Sequence, residues 1–126
     1  MPGPYTLVPG TPLKILDAAT TGTGGVLNLQ GKIRYLTIVA QGSGTITTGA
    51  VSIEESFYEN IPPGGIESDG IPYTGTWSVL TTVTGSALTT GSQQIIHVQG
   101  SVWAVRPRIT TAIAGGGSMT IWAYGN

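Results

Sequence analysis

The chain has 126 residues, a formal net charge of −1 and only 9% charged residues, yet its mean hydropathy is +0.20. This length suits a single domain with one core. The five fixed cations are too few for the basic stripe that nucleic-acid binding requires, and the absence of cysteine excludes disulfides and thiolate metal sites. Soluble domains usually carry about 25% charged residues, so this composition is typical of a subunit whose exterior is covered by other protein.

Residues 1–12 contain four prolines, which fix φ and remove amide donors, so we expect an extended arm ahead of one domain at 13–126. The arm carries Tyr5, Leu7 and Val8 but no charged side chain. It either docks on a neighbouring subunit, which is the interpretation that we favour, or folds back on its own domain. Since no segment has the pattern of an export signal or the about 18 apolar residues of a membrane span, we expect neither.

From Leu13 onward, short β-like runs alternate with turns rich in Gly, Thr and Ser, at the spacing of a sandwich or barrel. The sequence predicts no long helix and eight strands, at Leu13–Asp17, Val26–Leu29, Ile33–Ala40, Thr45–Glu54, Thr76–Val83, Gln93–Gln99, Val102–Ile109 and Ser118–Tyr124. Eight strands in one domain is the count of a two-sheet jelly roll. We therefore predict an all-β fold, a single antiparallel β-sandwich that is jelly-roll-like.

Period-two alternation assigns side chains to the two faces of each strand. Two sets of side chains are each predicted to share a face: Trp77, Val79 and Val83, and Trp103, Val105 and Ile109. Of these, Trp77 and Trp103 are the candidate core residues. The run Ile33–Ala40 is apolar on both faces along most of its length, so it is either covered twice or buried by a partner. The last strand has one Met/Ile/Ala face and one Thr/Trp/Tyr face, and both cannot be exposed to water without cost.

One long connection spans residues 55–75, and its prolines and glycines prevent regular structure. Ordered loops of this length are usually functional, and its apolar side chains must pack either over the end of their own sandwich or against a neighbour. Acidic residues are concentrated in and beside it: Glu54, Glu55, Glu59, Glu67 and Asp69. We expect a negative patch there, either as a solvated loop or as a contact to a basic neighbour.

Groups that could perform catalysis are scarce. His97 is the only histidine and lies in an apolar strand, which is typical of a structural histidine. Glu54 and Glu55 point to opposite faces, so they do not form the carboxylate pair of a glycosidase. We predict no enzyme activity and no cofactor. Nor do we predict a metal site, because Glu67-Ser68-Asp69-Gly70 lacks the remaining ligands of a calcium loop.

Several segments together carry a resemblance to a known group of proteins. They are the Pro-rich arm, Leu16 with Ala18-Ala19-Thr20-Thr21-Gly22-Thr23-Gly24-Gly25 and Leu27, Gly42-Ser43-Gly44-Thr45, Val51-Ser52-Ile53-Glu54-Glu55-Ser56, Gly75-Thr76-Trp77-Ser78-Val79-Leu80, Val105-Arg106-Pro107-Arg108-Ile109-Thr110 and Gly116-Gly117-Ser118-Met119-Thr120-Ile121. In strand order and turn composition, over most of residues 13–126, they resemble small β-sandwich structural proteins of tailed bacteriophages, especially capsid decoration or cement proteins.

The resemblance implies a virion structural protein, made in the host cytoplasm and placed on the capsid exterior. It implies a homo-oligomer, commonly a trimer, that binds the major capsid protein where capsomers meet and stabilises the shell, without direct contact to nucleic acid or membrane. Two alternatives are a phage tail or fibre subunit and a carbohydrate-binding module, for which aromatic side chains would stack on sugars. The candidate assembly contacts are Pro4, Tyr5, Leu7, Val8, Pro9, Tyr58, Ile66, Trp122 and Tyr124.

Overall fold

A computed structural model describes residues 7–8, 10–29, 32–56, 77–100 and 102–126. Over these ranges the chain forms eight strands and one 3₁₀ helix, η1. The strands are β1 (Leu13–Ala19), β2 (Leu27–Asn28), β3 (Tyr35–Ser43), β4 (Thr48–Ser56), β5 (Ser78–Thr84), β6 (Gln93–Gln99), β7 (Ala104–Ala114) and β8 (Ser118–Gly125), and η1 spans Gly85–Gly91. The structure contains, in these ranges, no helix with both the length and the apolar character of a membrane span.

The strands pair into two four-stranded antiparallel sheets. The first sheet has the order β1-β8-β3-β6 and the second the order β2-β7-β4-β5. The last strand thus lies between the first and the third, and the seventh between the second and the fourth, which is the strand order of a jelly roll built from two interleaved Greek keys. The predicted all-β sandwich is confirmed.

The core lies between the two sheets and follows from the alternation of the strands. One face of β3 and one face of β8 are buried, through Leu36, Ile38 and Ala40 and through Met119, Ile121 and Ala123. The second sheet contributes Val51 and Ile53 of β4, Val83 of β5 and Val105 of β7 to the same cluster. Each large aliphatic side chain buried in this way stabilises the fold by about 1.5–3 kcal/mol.

Strand β5 departs from the predicted alternation because it contains a β-bulge. Thr81 pairs with Ile53 and Val79 with the next residue, Glu54, so that Leu80 is an extra residue on β5. The faces exchange at this point: Leu80 packs against the core, whereas Val79 is 58% exposed. The prediction that Val79 and Val83 share a face is therefore wrong, since Val83 is buried in the core.

The two tryptophans that were predicted to be core residues are also placed differently. Trp77 and Trp103 are only partly buried, and neither belongs to the core cluster or packs directly against it. Trp77 lies just before β5 and stacks against the guanidinium of Arg106, which is 4.3 Å from the centroid of its ring. Trp103 precedes β7, and its carbonyl accepts a hydrogen bond from the amide of Leu29 at 2.7 Å.

Helix η1 replaces the simple turn that the sequence predicts after β5, and it closes one end of the sandwich. Its Leu88 is buried in the core. Thr89 ties the helix to the chain between β3 and β4, since its hydroxyl accepts from the amide of Ile46 at 3.0 Å and donates to the carbonyl of Gly44 at 3.3 Å. Gly42 of β3 lies so close to the backbone of Leu88 that a Cβ there would overlap the Leu88 carbonyl.

We therefore expect Gly42→Ala to destabilise the fold, because either β3 or η1 must move to admit the methyl group. Overpacking of this kind costs about 1–3 kcal/mol in the free energy of unfolding, which urea denaturation measures. Ser43→Ala, at the exposed neighbouring position of β3, is the control and should change stability little. Equal stabilities of the two variants would show that η1 does not pack on β3 as described.

Candidate interaction face

The face of the first sheet that points away from the core carries a continuous set of side chains from all four strands. Register places Val39 of β3 opposite Ile95 of β6 on one side and Trp122 of β8 on the other, and Trp122 opposite Lys14 of β1. The two neighbouring rows place Thr37 between His97 and Tyr124, and Tyr35 beside Gln99. We call these nine residues the outer face: Lys14, Tyr35, Thr37, Val39, Ile95, His97, Gln99, Trp122 and Tyr124.

Large apolar side chains are exposed on the outer face. Tyr35 is 60% exposed, Ile95 51% and Tyr124 38%, while Val39 and Trp122 are half-buried. Central strand β3 thus has one face in the core and the other at the surface of the described chain. A contiguous apolar surface flanked by polar groups marks a contact with another molecule more often than single exposed apolar residues do.

Four of the nine outer-face residues are polar, namely Lys14, Thr37, His97 and Gln99, and three of them make side-chain contacts. The Nζ atom of Lys14 lies 4.9 Å from the ring centroid of Trp122 and 3.3 Å from Oδ1 of Asp17. The hydroxyl of Thr37 is 3.2 Å from Nδ1 of His97 across the β3–β6 pair. A cation–π contact at an exposed site contributes about 0.5–1 kcal/mol, so Lys14 both holds Trp122 in place and covers part of its ring.

The second sheet handles its outward side in the opposite way, with buried polar groups. Ser52, Glu54 and Ser56 alternate along β4 with the core residues, and all three are buried. Two arginines that lie two residues apart on β7 reach Glu54: Nε of Arg106 donates to Oε1 at 2.8 Å, and Nε of Arg108 donates to Oε2 at 3.0 Å. One carboxylate is therefore held between two guanidinium groups, one of which stacks on Trp77.

This arrangement shifts the pKa of Glu54 and that of Arg108. Burial by itself raises the pKa of Glu54, but hydrogen bonds from Arg108 and Arg106 and the charges of both guanidinium groups outweigh it, so the pKa lies below its ordinary value. The hydrogen bond and charge of Glu54 in turn raise the pKa of Arg108. Glu54 therefore does not contribute to the predicted negative patch, of which Glu59, Glu67 and Asp69 lie outside the described residues.

The candidate assembly contacts from the sequence are placed as follows. Trp122 and Tyr124 both lie on the outer face, side by side along β8. Leu7 is 6% exposed and belongs to the core cluster, so its side chain packs on its own domain. Val8, the next residue, is 60% exposed. Pro4, Tyr5, Pro9, Tyr58 and Ile66 lie outside the described residues.

Sequence reasoning did not select Tyr35, Val39 and Ile95, which complete the outer face around Trp122. The signal was present in the apolar run of β3, whose two faces could not both enter the core, but the alternation within one strand does not show which strands lie beside it. Only the strand order, which brings β6 and β8 to the two sides of β3, assembles the surface. Across the described residues, His, Asp and Glu side chains form no group of three that could hold a metal ion.

The acid dependence of stability provides a test of the Glu54 cluster. Because its folded-state pKa is lowered, Glu54 contributes stability above the pKa of the unfolded chain, about 4.3, and this contribution is lost as pH falls through the lower folded-state pKa. We expect Glu54→Gln to lower the free energy of unfolding at pH 7 by about 2 kcal/mol. Below a pH of about 4, the free energy of unfolding of this variant should fall less steeply with decreasing pH than that of the wild type.

Glu55→Gln, one residue further along β4, is the matched control and should leave both quantities near their wild-type values. Urea denaturation at a series of pH values measures them. Equal stability of Glu54→Gln and wild type at pH 7 would contradict the described ion pairs.

No protein-family model matches the chain, and no curated protein matches it. Among solved structures, the chain is similar to the crystal structure of SPBc2 prophage-derived protein YomS, with 16% sequence identity and a TM-score of 0.47. The match covers 90% of this chain and 88% of that chain. A likeness at that TM-score is too distant to transfer a function.

Proposed function

We propose that this chain is a structural subunit of a virus particle, and specifically a capsid decoration protein that binds the exterior of the shell and stabilises it. The observation that carries the proposal is the outer face, a contiguous apolar surface on a rigid sheet of a chain with very few charges. The jelly-roll strand order and the resemblance of the sequence to phage cement proteins support the same function.

The outer face has the physical properties of an assembly contact. All but one of its aromatic and aliphatic side chains project from the central strands β3 and β8, whose opposite faces are fixed in the core, so little conformational entropy is lost when a partner covers them. Tyr and Trp are enriched among the residues that dominate binding energy. Lys14 is the single fixed charge among the nine residues, and it is already paired with Asp17.

The proposed partners are the major capsid protein and further copies of this chain. A trimer is what the resemblance to cement proteins implies, and the outer face supplies apolar area for a contact with either partner. Because such a contact depends little on charge, it should persist at moderate salt, where interactions between exposed charges more than about 10 Å apart are screened.

Two alternatives would use the same residues differently. A tail or fibre subunit would also bury the outer face, but it would be present in few copies at one vertex rather than in numbers commensurate with the capsid lattice. A carbohydrate-binding module would stack a sugar on Trp122 or Tyr124. The ammonium group of Lys14 lies over the Trp122 ring and would compete with such stacking, so the geometry favours protein contact over sugar binding.

The proposed stabilisation of the shell, which we call the clamp role, is tested on particles of the virus whose genome encodes this chain. A protein that binds the intact shell and not its dissociated subunits stabilises the shell by mass action. We expect shells stripped of the protein to rupture at a lower temperature than decorated shells, and the rupture temperature to recover when the protein is added back. The fluorescence of a DNA-binding dye, which rises when the packaged DNA becomes accessible, measures the rupture. Equal rupture temperatures would refute the clamp role, and a few copies at one vertex would favour the tail subunit.

A second experiment tests whether the outer face makes the contact. We expect Tyr35→Lys combined with Tyr124→Lys to reduce affinity for stripped shells by at least about tenfold, because two aromatic contacts are replaced by cations. Val79→Lys is the control, since Val79 is similarly exposed on the second sheet. Co-sedimentation with stripped shells measures the affinity. Loss of binding by the control alone would move the contact to the second sheet.

A further inference from the structure

Within the described ranges the two sheets have four edge strands, and the edge of one of them is unprotected. β1 pairs with β8 through two register shifts and carries Lys14 and Asp17, β2 has two residues, and β5 contains a bulge. β6 has none of these features: its pairing with β3 is continuous from Gln93 to Gln99, it is seven residues long, and it contains no charged residue and no proline. Natural proteins usually block such an edge with charge, proline or a bulge, because it offers unpaired backbone groups to another chain.

Two hydrogen bonds at the ends of β6 show which of its backbone groups are free to bind. The amide of Gly100 donates to the carbonyl of Arg34 at 3.0 Å, and the carbonyl of Ser92 accepts from the amide of Gly42 at 3.1 Å. In an antiparallel pair the groups that face the neighbour belong to every second residue. The even-numbered residues of β6 therefore face β3, and the odd-numbered ones project their amides and carbonyls from the edge: Gln93, Ile95, His97 and Gln99.

We propose that β6 pairs with β6 of a second copy of this chain, antiparallel, about a two-fold axis that passes beside Ile96. The two first sheets then join into one sheet of the order β1-β8-β3-β6-β6-β3-β8-β1. All four outward-projecting residues find a partner in this register: Gln93 lies opposite the partner's Gln99, and Ile95 opposite the partner's His97. These pairs form about eight backbone hydrogen bonds.

A second copy fits this edge because reversing the sequence of β6, Gln-Gln-Ile-Ile-His-Val-Gln, places Gln opposite Gln at both ends and Ile opposite Ile at the centre. The exposed amides of Gln93 and the partner's Gln99 meet and bond to each other, Ile96 meets its own counterpart, and Gln94 meets the partner's Val98. No like charges face each other across the axis, which would destabilise the pair. The outer faces of the two copies become continuous, since Ile95 stands at the edge of the apolar row.

This pairing goes beyond the proposed function, because it concerns the isolated chain and names the contact between two copies. It gives the isolated chain a two-fold dimer, which is distinct from the trimer that the resemblance implies for the chain on a capsid. Its test therefore needs no virus particle, and its failure leaves the capsid-binding proposal untouched. Sedimentation equilibrium of the purified chain should give a species of about 26 kDa, twice the mass of the 12.9 kDa chain, in reversible exchange with monomer. If the chain sediments as a monomer alone at protein concentrations up to about 1 mM, the dissociation constant exceeds that of even a weak complex, and the proposal is overturned.

The register is tested by cross-linking, since the chain has no native cysteine. Residues that meet on the axis at a non-hydrogen-bonded site have Cα atoms about 4.5 Å apart, within reach of a disulfide. The single-cysteine variant Ile96→Cys should therefore oxidise to a covalent dimer. The control Gln94→Cys should not, because two copies of residue 94 lie about 14 Å apart along the strands. Equal cross-linking of the two variants would overturn this register.

Two variants test the edge itself. Ile95→Lys places a cation on the edge, and His97→Pro removes an amide that points away from β3, so both should remain folded and raise the dissociation constant of the dimer at least tenfold. Val79→Lys, at an exposed position of the other sheet, should dimerise like wild type. In the wild-type dimer, amide exchange at Gln93, Ile95, His97 and Gln99 should slow as protein concentration rises. A dimer that survives both variants, or exchange at these amides that is independent of concentration, would overturn the proposal.

Discussion

A strand at the centre of a two-layer sandwich can place only one of its faces in the core between the sheets, and β3 and β8 carry apolar side chains on both faces. Their inner residues, such as Ile38 and Ile121, close the core. Their outer residues, Val39 and Trp122, then cannot reach the core, because period-two geometry turns them away from it. The exposed apolar surface of the first sheet follows from this constraint. A chain with only 9% charged residues has few charged side chains with which to interrupt this surface, and our proposal is that another molecule covers it.

The second sheet meets the same constraint with polar groups on its outward side. Its outward row on β4 consists of serines and one glutamate, and Arg106 and Arg108 reach across from β7 to satisfy that glutamate. Protonation of Glu54 removes the negative charge that the two guanidinium groups share. The contribution of this cluster to stability therefore depends on pH. The outward sides of the two sheets therefore differ in their chemistry. One is closed by internal ion pairs, and the other presents apolar residues and an open edge to its surroundings.

The sequence alone was sufficient for the number of strands, the sandwich class and the two faces of β8, because these depend on patterns within single strands. The sequence was insufficient where the position of a residue depends on pairing or contact with another strand. The bulge that exposes Val79 arises from the pairing of β5 with β4, and the position of Trp77 depends on Arg106 of a distant strand. Leu7 was selected as an assembly contact because it belongs to the uncharged, Pro-rich arm, yet its side chain is buried in the core cluster. The outer face was visible in part, through Trp122 and Tyr124, and was completed only by strand order.

The central claim is that protein covers the outer face of the first sheet when this chain performs its function. Hydroxyl-radical footprinting, read out by mass spectrometry, measures it directly by comparing the dilute chain with the chain bound to its particle. Oxidation of Tyr35, Tyr124 and Trp122 should fall several-fold on binding, whereas Trp77 and Trp103 on the second-sheet side serve as internal references and should keep their rates. Unchanged oxidation of the three outer-face residues in the bound chain would contradict the account.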